Sequence, residues 1–177
     1  MNPYGYPDYF GFQQQQRFLI HTLLWVLVVI VLTFSIIFVV SCNPIPAHAE
    51  DVDMNIIATI ESNGNPYAYN PISQARGTYQ ITPICLNEYN DKHRDSIIIE
   101  EQLFNPVYNG VVAFWYMNQR IPQMLKYYAL QDTIDARLAC YNAGIVVYLK
   151  YKQGKRKLPN ETINYINKYH KLERKTK

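Results

Sequence analysis

Ile56-Ile57-Ala58-Thr59-Ile60-Glu61-Ser62-Asn63-Gly64-Asn65-Pro66 is the stretch whose reading decides the fold. Ile56, Ile57 and Ile60 recur at i, i+1 and i+4, the spacing of one apolar helix face. Asp51 or Asp53 can cap the start with a side-chain carboxylate. Asn63-Gly64-Asn65-Pro66 stops the helix, since glycine leaves helical geometry freely and proline lacks the N–H that would continue it. Glu61 therefore falls in the last turn, ahead of a loop rich in Pro, Asn and Ser from Asn65 to Arg76. A carboxyl group set where a helix runs into a cleft loses water, its pKa rises, and it becomes a proton donor near neutral pH. Cleavage of a glycosidic bond needs such a donor.

Outward from Glu61 the chain reads as helix after helix. Thr78 to Ile81 is expected to be a short extended piece. A helix follows Pro83, a residue suited to a first helical position. Asn105-Pro106 opens another, with Val107, Val111, Phe114, Trp115 and Leu125 as its expected core, and Pro122 should end or kink it. Asp132 to Ala139 forms a further helix, with Ile134 and Leu138 four apart. Gly144 closes a Tyr-Asn-Ala-Gly turn before a short helix, and Pro159 opens the last helix through Ile163, Ile166 and Tyr169. No internal repeat is visible. The expected class is mainly α.

The chain has 177 residues, room for one domain and an anchor. Residues 1–17 are rich in Tyr, Gly, Pro and Gln and read as a disordered tail. Residues 18–41 are apolar and read as a transmembrane helix or signal segment, followed by a linker, 42–50, that carries Pro44 and Pro46. Phe18 to Val40 has no formal charge and would span roughly the ~30 Å hydrocarbon core of a bilayer. Arg17 before it and Glu50, Asp51 and Asp53 after it favour an N-terminus on the inside. Two cleavage readings stand beside an uncleaved anchor. Val39-Val40-Ser41-Cys42 resembles a lipoprotein box with Cys42 as the acylated residue, and Ala47-His48-Ala49 resembles a signal-peptidase site.

The other cysteines, Cys85 and Cys140, fall in the domain, where Cys140 reads as a small packed apolar residue and an oxidising setting would alternatively allow the two to pair. There is no C-x-x-C pair, and His48, His93 and His170 lack metal-ligand spacing. His21 lies near the start of the apolar segment, at an interfacial position. Residues 150–177 hold ten Lys or Arg against Glu161 and Glu173. That charge reads as a solvated helix face ending in a basic tail, 171–177, or as attraction to anionic wall polymers or lipid head groups. No nucleic-acid module accompanies it.

Four blocks then occur in order: Glu61-Ser62, Gly77-Thr78-Tyr79-Gln80-Ile81, Cys140-Tyr141-Asn142-Ala143-Gly144 and Pro159-Asn160-Glu161-Thr162-Ile163-Asn164-Tyr165. Together they resemble the lytic transglycosylase family of the lysozyme-like superfamily, soluble-lytic-transglycosylase-like enzymes that cleave peptidoglycan. The resemblance covers roughly Val52 to Lys168. Thr78 and Tyr79 depart from the family's Gly-Leu-Met-Gln-Ile block, and Cys140 replaces the alanine of its Ala-Tyr-Asn-Ala-Gly block.

The resemblance implies a lysozyme-like helical domain over residues 51–170, behind the single N-terminal transmembrane or signal-anchor helix. It implies Glu61 as the catalytic acid and base. Cleavage of the MurNAc-GlcNAc β-1,4 bond would leave a 1,6-anhydromuramoyl product, without metal or organic cofactor. Gln80 would line the sugar cleft. Tyr141 would orient Glu61 or share a proton with it, and Asn142 would hold an N-acetyl group. Asn70 stands where some members have a serine bonded to the acid. Tyr165 matches the tyrosine of the last block, and Tyr79 can stack on a sugar face. None of Glu88, Asp91, Asp95, Glu100 and Glu101 has a motif marking it as a second carboxylate. A goose-type lysozyme-like hydrolase would need one, and a muropeptide-binding module would need no acid at all. The expected partners are peptidoglycan strands, the membrane through the N-terminal helix or a lipid on Cys42, and possible envelope-spanning machinery. The expected place is the cytoplasmic membrane with the domain facing the wall, or secretion.

Overall fold

The computed structural model describes residues 24–30 and 51–176. Residues 1–47 and 48–177 form separate compact units. In the first, residues 24–30 are helical with exposed apolar side chains. Among the described residues no helix is long and apolar enough to cross a membrane. The tail 1–17, most of segment 18–41, the linker with Cys42, and the Ala47–Ala49 site lie outside the described residues.

The second unit opens with α1 (Met54–Ser62). Asp53 caps it, accepting from the Asn55 N–H at 2.9 Å. Asn63 ends it in the left-handed region, its N–H turned back onto Ala58 and Thr59 carbonyls. Glu61 is thus in the last turn. α2 (Pro83–Lys92) is capped by Thr82, and a 3-10 turn (Glu100–Phe104) leads to α3 (Pro106–Trp115), capped by Asn105. A π-helical turn (Tyr116–Arg120) joins α3 to α4 (Ile121–Tyr127). Then come α5 (Ile134–Ala143), ending at Gly144, α6 (Ile145–Lys152) and α7 (Asn160–Thr176).

Two apolar clusters hold these elements. One joins Ile56 and Ile57 of α1 to Met117, Ile121, Leu125, Leu138 and the α7 tyrosines Tyr165 and Tyr169. The other joins Ile81 and Leu86 to Ile98, Leu103, Val112 and Trp115. Met54, Tyr79 and Tyr116 pack against both. The Gly77–Ile81 turn therefore sits over the seam between the two clusters.

Several expectations are corrected. Thr78 to Ile81 is not an extended piece but a tight turn. The Gln80 N–H returns to the Gly77 carbonyl at 3.2 Å, and Gln80 itself has φ +51°. Val107, Val111 and Phe114 are exposed, not core. The face of α3 turned inward carries Asn109, Val112 and Ala113, because the Asn109 amide serves the turn beneath it. The interruption expected at Pro122 is present as a π turn: α geometry stops at Trp115 and resumes at Ile121. Pro122 cannot donate to a carbonyl four residues back, and the π turn shifts the register so that the Ile121 N–H reaches the Tyr116 carbonyl. The basic residues 171–176 are not a tail apart from the helix: α7 continues through them, with Leu172 packed on the first cluster. Cys85 and Cys140 are both free and buried, and burial pushes both thiols up to about 12.

Gly77 is the tightest point. A Cβ there would stand 2.3 Å from the Leu103 carbonyl oxygen and 2.4 Å from Asn109 Nδ2, at φ +77°. Gly64 has φ +76° but nothing within 4 Å. Gly77→Ala should lose about 3 kcal/mol or more of stability, and Gly64→Ala only about 1 kcal/mol. Urea denaturation midpoints of the two variants check this.

Candidate active site

Three elements fasten the Gly77–Ile81 turn against the end of α1. From α1, Ser62 Oγ donates to the Thr78 carbonyl at 2.8 Å. From α3, fully buried Asn109 accepts from the Tyr79 N–H at 2.8 Å and donates through Nδ2 to the Arg76 carbonyl at 2.8 Å. From α5, the Tyr141 hydroxyl donates to the Tyr79 carbonyl at 2.8 Å. Arg76 and Ile81 exchange backbone hydrogen bonds at 3.0 Å, closing the turn. Buried polar groups left unpaired are costly, so each fastening both satisfies the turn and fixes its place beside Glu61.

The Glu61 carboxyl receives one hydrogen bond of fixed direction. Tyr165, buried on α7, donates its hydroxyl to Oε1 at 2.8 Å. Loss of water is the largest influence on Glu61 and lifts its carboxyl from an ordinary 4.5 to about 7. The Tyr165 hydrogen bond and the Lys168 charge pull it down, and the Glu161 charge pushes it up. Burial, then the charge of Glu61, pushes both the Tyr141 and Tyr165 phenols upward. Both therefore stay protonated donors. At neutral pH the site holds a carboxyl poised between its acid and carboxylate forms, the state general acid–base chemistry uses best.

The structure places the remaining sequence-selected residues as follows. Asn142, on the last turn of α5, accepts from buried Thr162 Oγ1 at 2.8 Å through Oδ1, which leaves its Nδ2 as the donor end. Gln80 spends its Nε2 on the Gly77 and Ala68 carbonyls at 3.1 and 3.3 Å, so its Oε1 is the end not engaged. Tyr79 is half-buried between the two clusters. Asn70 makes no hydrogen bond to the acid; it caps its own loop, its Oδ1 accepting from the Ile72 and Ser73 N–H groups at 2.9 and 3.3 Å. The acid-orienting bond expected from Tyr141 is made by Tyr165 instead, because the Tyr141 hydroxyl is committed to the turn. Sequence reasoning missed Asn109 and Thr162. A lone asparagine in the apolar run Val107 to Val112 was the available signal for the first.

Beyond Asn142 opens a cleft of about 710 Å³, bounded by Ala143, Gly144, Tyr116, Glu88 and Arg120 among others. Glu61 does not line it; Tyr116 on its wall meets the Tyr141 ring, the centroids 6.1 Å apart, and the Tyr141 phenol lies within reach of the Glu61 charge. Among the described residues no group of three His, Cys, Asp or Glu side chains is gathered to hold a metal.

The family model described as Transglycosylase SLT domain matches residues 48–164, well over half of the chain. No curated protein and no solved structure matches the chain.

Because Glu61 has a raised pKa when folded, its contribution to stability is full below about pH 4.5 and is lost as pH rises through 7. Each unit is worth about 1.4 kcal/mol, so its ionisation costs up to about 3 kcal/mol. Glu61→Gln cannot ionise. It should melt several degrees above the parent at pH 8 and close to it at pH 4, measured by thermal unfolding.

Proposed function

The chain belongs to the transglycosylase SLT domain family, whose substrate is peptidoglycan, and from that premise we propose that it cleaves the MurNAc-GlcNAc β-1,4 bond as a lytic transglycosylase, with Glu61 as its only acid and base. The observation that carries this reading is the Glu61 carboxyl, deprived of water, lifted to about 7 and held by Tyr165.

The proposed steps use that arrangement. Tyr165 occupies Oε1, so the proton to be transferred sits on Oε2. Glu61 gives this proton to the glycosidic oxygen as the C1–O bond breaks. The substrate's own N-acetyl oxygen assists at C1, so no second carboxylate is needed there. Asn142, its amide turned by Thr162, offers Nδ2 to that N-acetyl group. The resulting Glu61 carboxylate is stabilised by Tyr165 and, through space, by Lys168. It then takes the proton of the muramoyl 6-hydroxyl as that oxygen bonds to C1 and displaces the N-acetyl oxygen, which returns to the acetamido carbonyl. The acid is regenerated, the 1,6-anhydro ring is closed and no water is consumed.

The hydrolase alternative needs a carboxylate free to hold water. Glu88 is paired with Arg120 and Glu100 with Arg76, the latter at 2.7 Å, so exposed Glu161, whose charge reaches Glu61, is the carboxylate that route would have to recruit. We further propose that segment 18–41, or a lipid on Cys42, tethers the domain at the outer face of the cytoplasmic membrane. The apolar sequence of that segment supports this.

Digestion of purified peptidoglycan should yield anhydro-muropeptides by mass spectrometry, with Glu61→Gln reducing them by about 10²–10⁴-fold. Reducing-end muropeptides in their place would make the protein a hydrolase. Tyr165→Phe removes a contact that lowers the Glu61 pKa. Its pH–rate profile should therefore lose activity on the alkaline side at a higher pH than the parent's, while the maximal rate falls.

A further inference from the structure

The cleft beside Asn142 contains a charge pair that the proposed reaction does not use. One wall comes from α2, through Ile84 and Glu88 four residues apart. The facing wall comes from the π turn and α4, through Tyr116, Arg120 and Tyr127. Its near end is the Ala143-Gly144 pair that follows Asn142. A volume of about 710 Å³ is within the range of ligand sites. Arg120 donates through Nε to Glu88 Oε1 at 2.6 Å, with Nη2 on the same oxygen. The two side chains are 25% and 27% exposed, so both are reachable from the cleft. Glu88 Oε2 and Arg120 Nη1 make no hydrogen bond of their own. The guanidinium has therefore given one edge to Glu88 and keeps its other edge, the geometry that grips a carboxylate in two places.

An ion pair partly withdrawn from water loses hydration that further charges can return by completing the set. The N-acetylated sugars of a peptidoglycan strand are uncharged where the lactyl group is in amide linkage. The strand's charges sit on its peptide stems, as free carboxylates and the ammonium of a diamino acid. On the reading of Glu61 as a peptidoglycan-cleaving acid, we propose that this cleft receives a peptide stem, with Arg120 taking a stem carboxylate and Glu88 a stem ammonium. Tyr116 and Tyr127 supply the apolar walls beside them. The enzyme would then select strands that carry stems over strands stripped of them.

Affinity separates this from the catalytic reading, because it needs no turnover. Full-length protein carrying Glu61→Gln is titrated calorimetrically with stem-bearing glycan chains and with the same chains after an amidase has removed the stems. The stem-bearing chains should bind about tenfold tighter, and adding Arg120→Ala should abolish that difference. Arg120→Lys, which keeps the charge and loses the two-point edge, should retain part of it. Equal affinity for both chains would overturn the proposal. Equal weakening of both by Arg120→Ala would also overturn it, by making the pair a contact to sugar or to the lactyl carboxylate exposed on stripped chains. Failure of the catalytic reading would show separately, as the absence of anhydro product from the parent protein.

Discussion

Removal of water from the Glu61 carboxyl is the constraint on which the rest of the site depends. A glutamate at the end of an exposed helix is solvated and ionised at neutral pH, and donates no proton. Here the end of α1 meets a turn that its own backbone bonds close and that side chains fasten from outside. Ser62, fully buried Asn109 and Tyr141 reach it from three different helices, each at 2.8 Å. Tyr165 then supplies the single directed contact to the acid. Desolvation raises the pKa and this hydrogen bond lowers it, and desolvation is the larger. The carboxyl consequently stays near the pH at which it can both give and take a proton.

The same constraint explains an odd feature of the packing. α3 turns a buried asparagine inward and leaves Val107, Val111 and Phe114 exposed. The inward face also buries Val112 and Trp115, so this rotation gains apolar burial together with the asparagine's bonds. The asparagine amide has both a donor and an acceptor to satisfy, and the turn offers one of each, Arg76 O and Tyr79 N–H. Gly77 completes the fit, since its missing side chain is what allows the Leu103 carbonyl and Asn109 to approach. Fold and site are thus built from the same contacts.

Much of this was legible in the residues, and the rest was hidden for identifiable reasons. The α1 end at Glu61 was readable because isoleucine spacing and Asn-Gly-Asn-Pro are local signals. Starts at Pro83 and Pro106 were readable for the same reason. The mainly helical class followed from these, and the block order carried the family. Partners within the site were not readable, because Tyr141 and Tyr165 both stand in motif blocks and only tertiary packing decides which hydroxyl meets the acid. Pro122 marked an interruption of the helix, but its form, a π turn, is invisible to a rule framed for α-helices. The α3 face misled because counting apolar residues ignores what one asparagine must bond. Asn70, with a side chain able to bond many groups, was captured by its own loop.

The central claim is that Glu61 is a carboxyl deprived of water, and its own titration tests this most directly. In the intact protein with 13C-labelled glutamate, the side-chain carboxyl resonance lost in Glu61→Gln identifies the group, and its shift is followed from pH 3 to pH 9. The account predicts a midpoint near 7. A midpoint between 4 and 5, the range of a solvated glutamate, would contradict it.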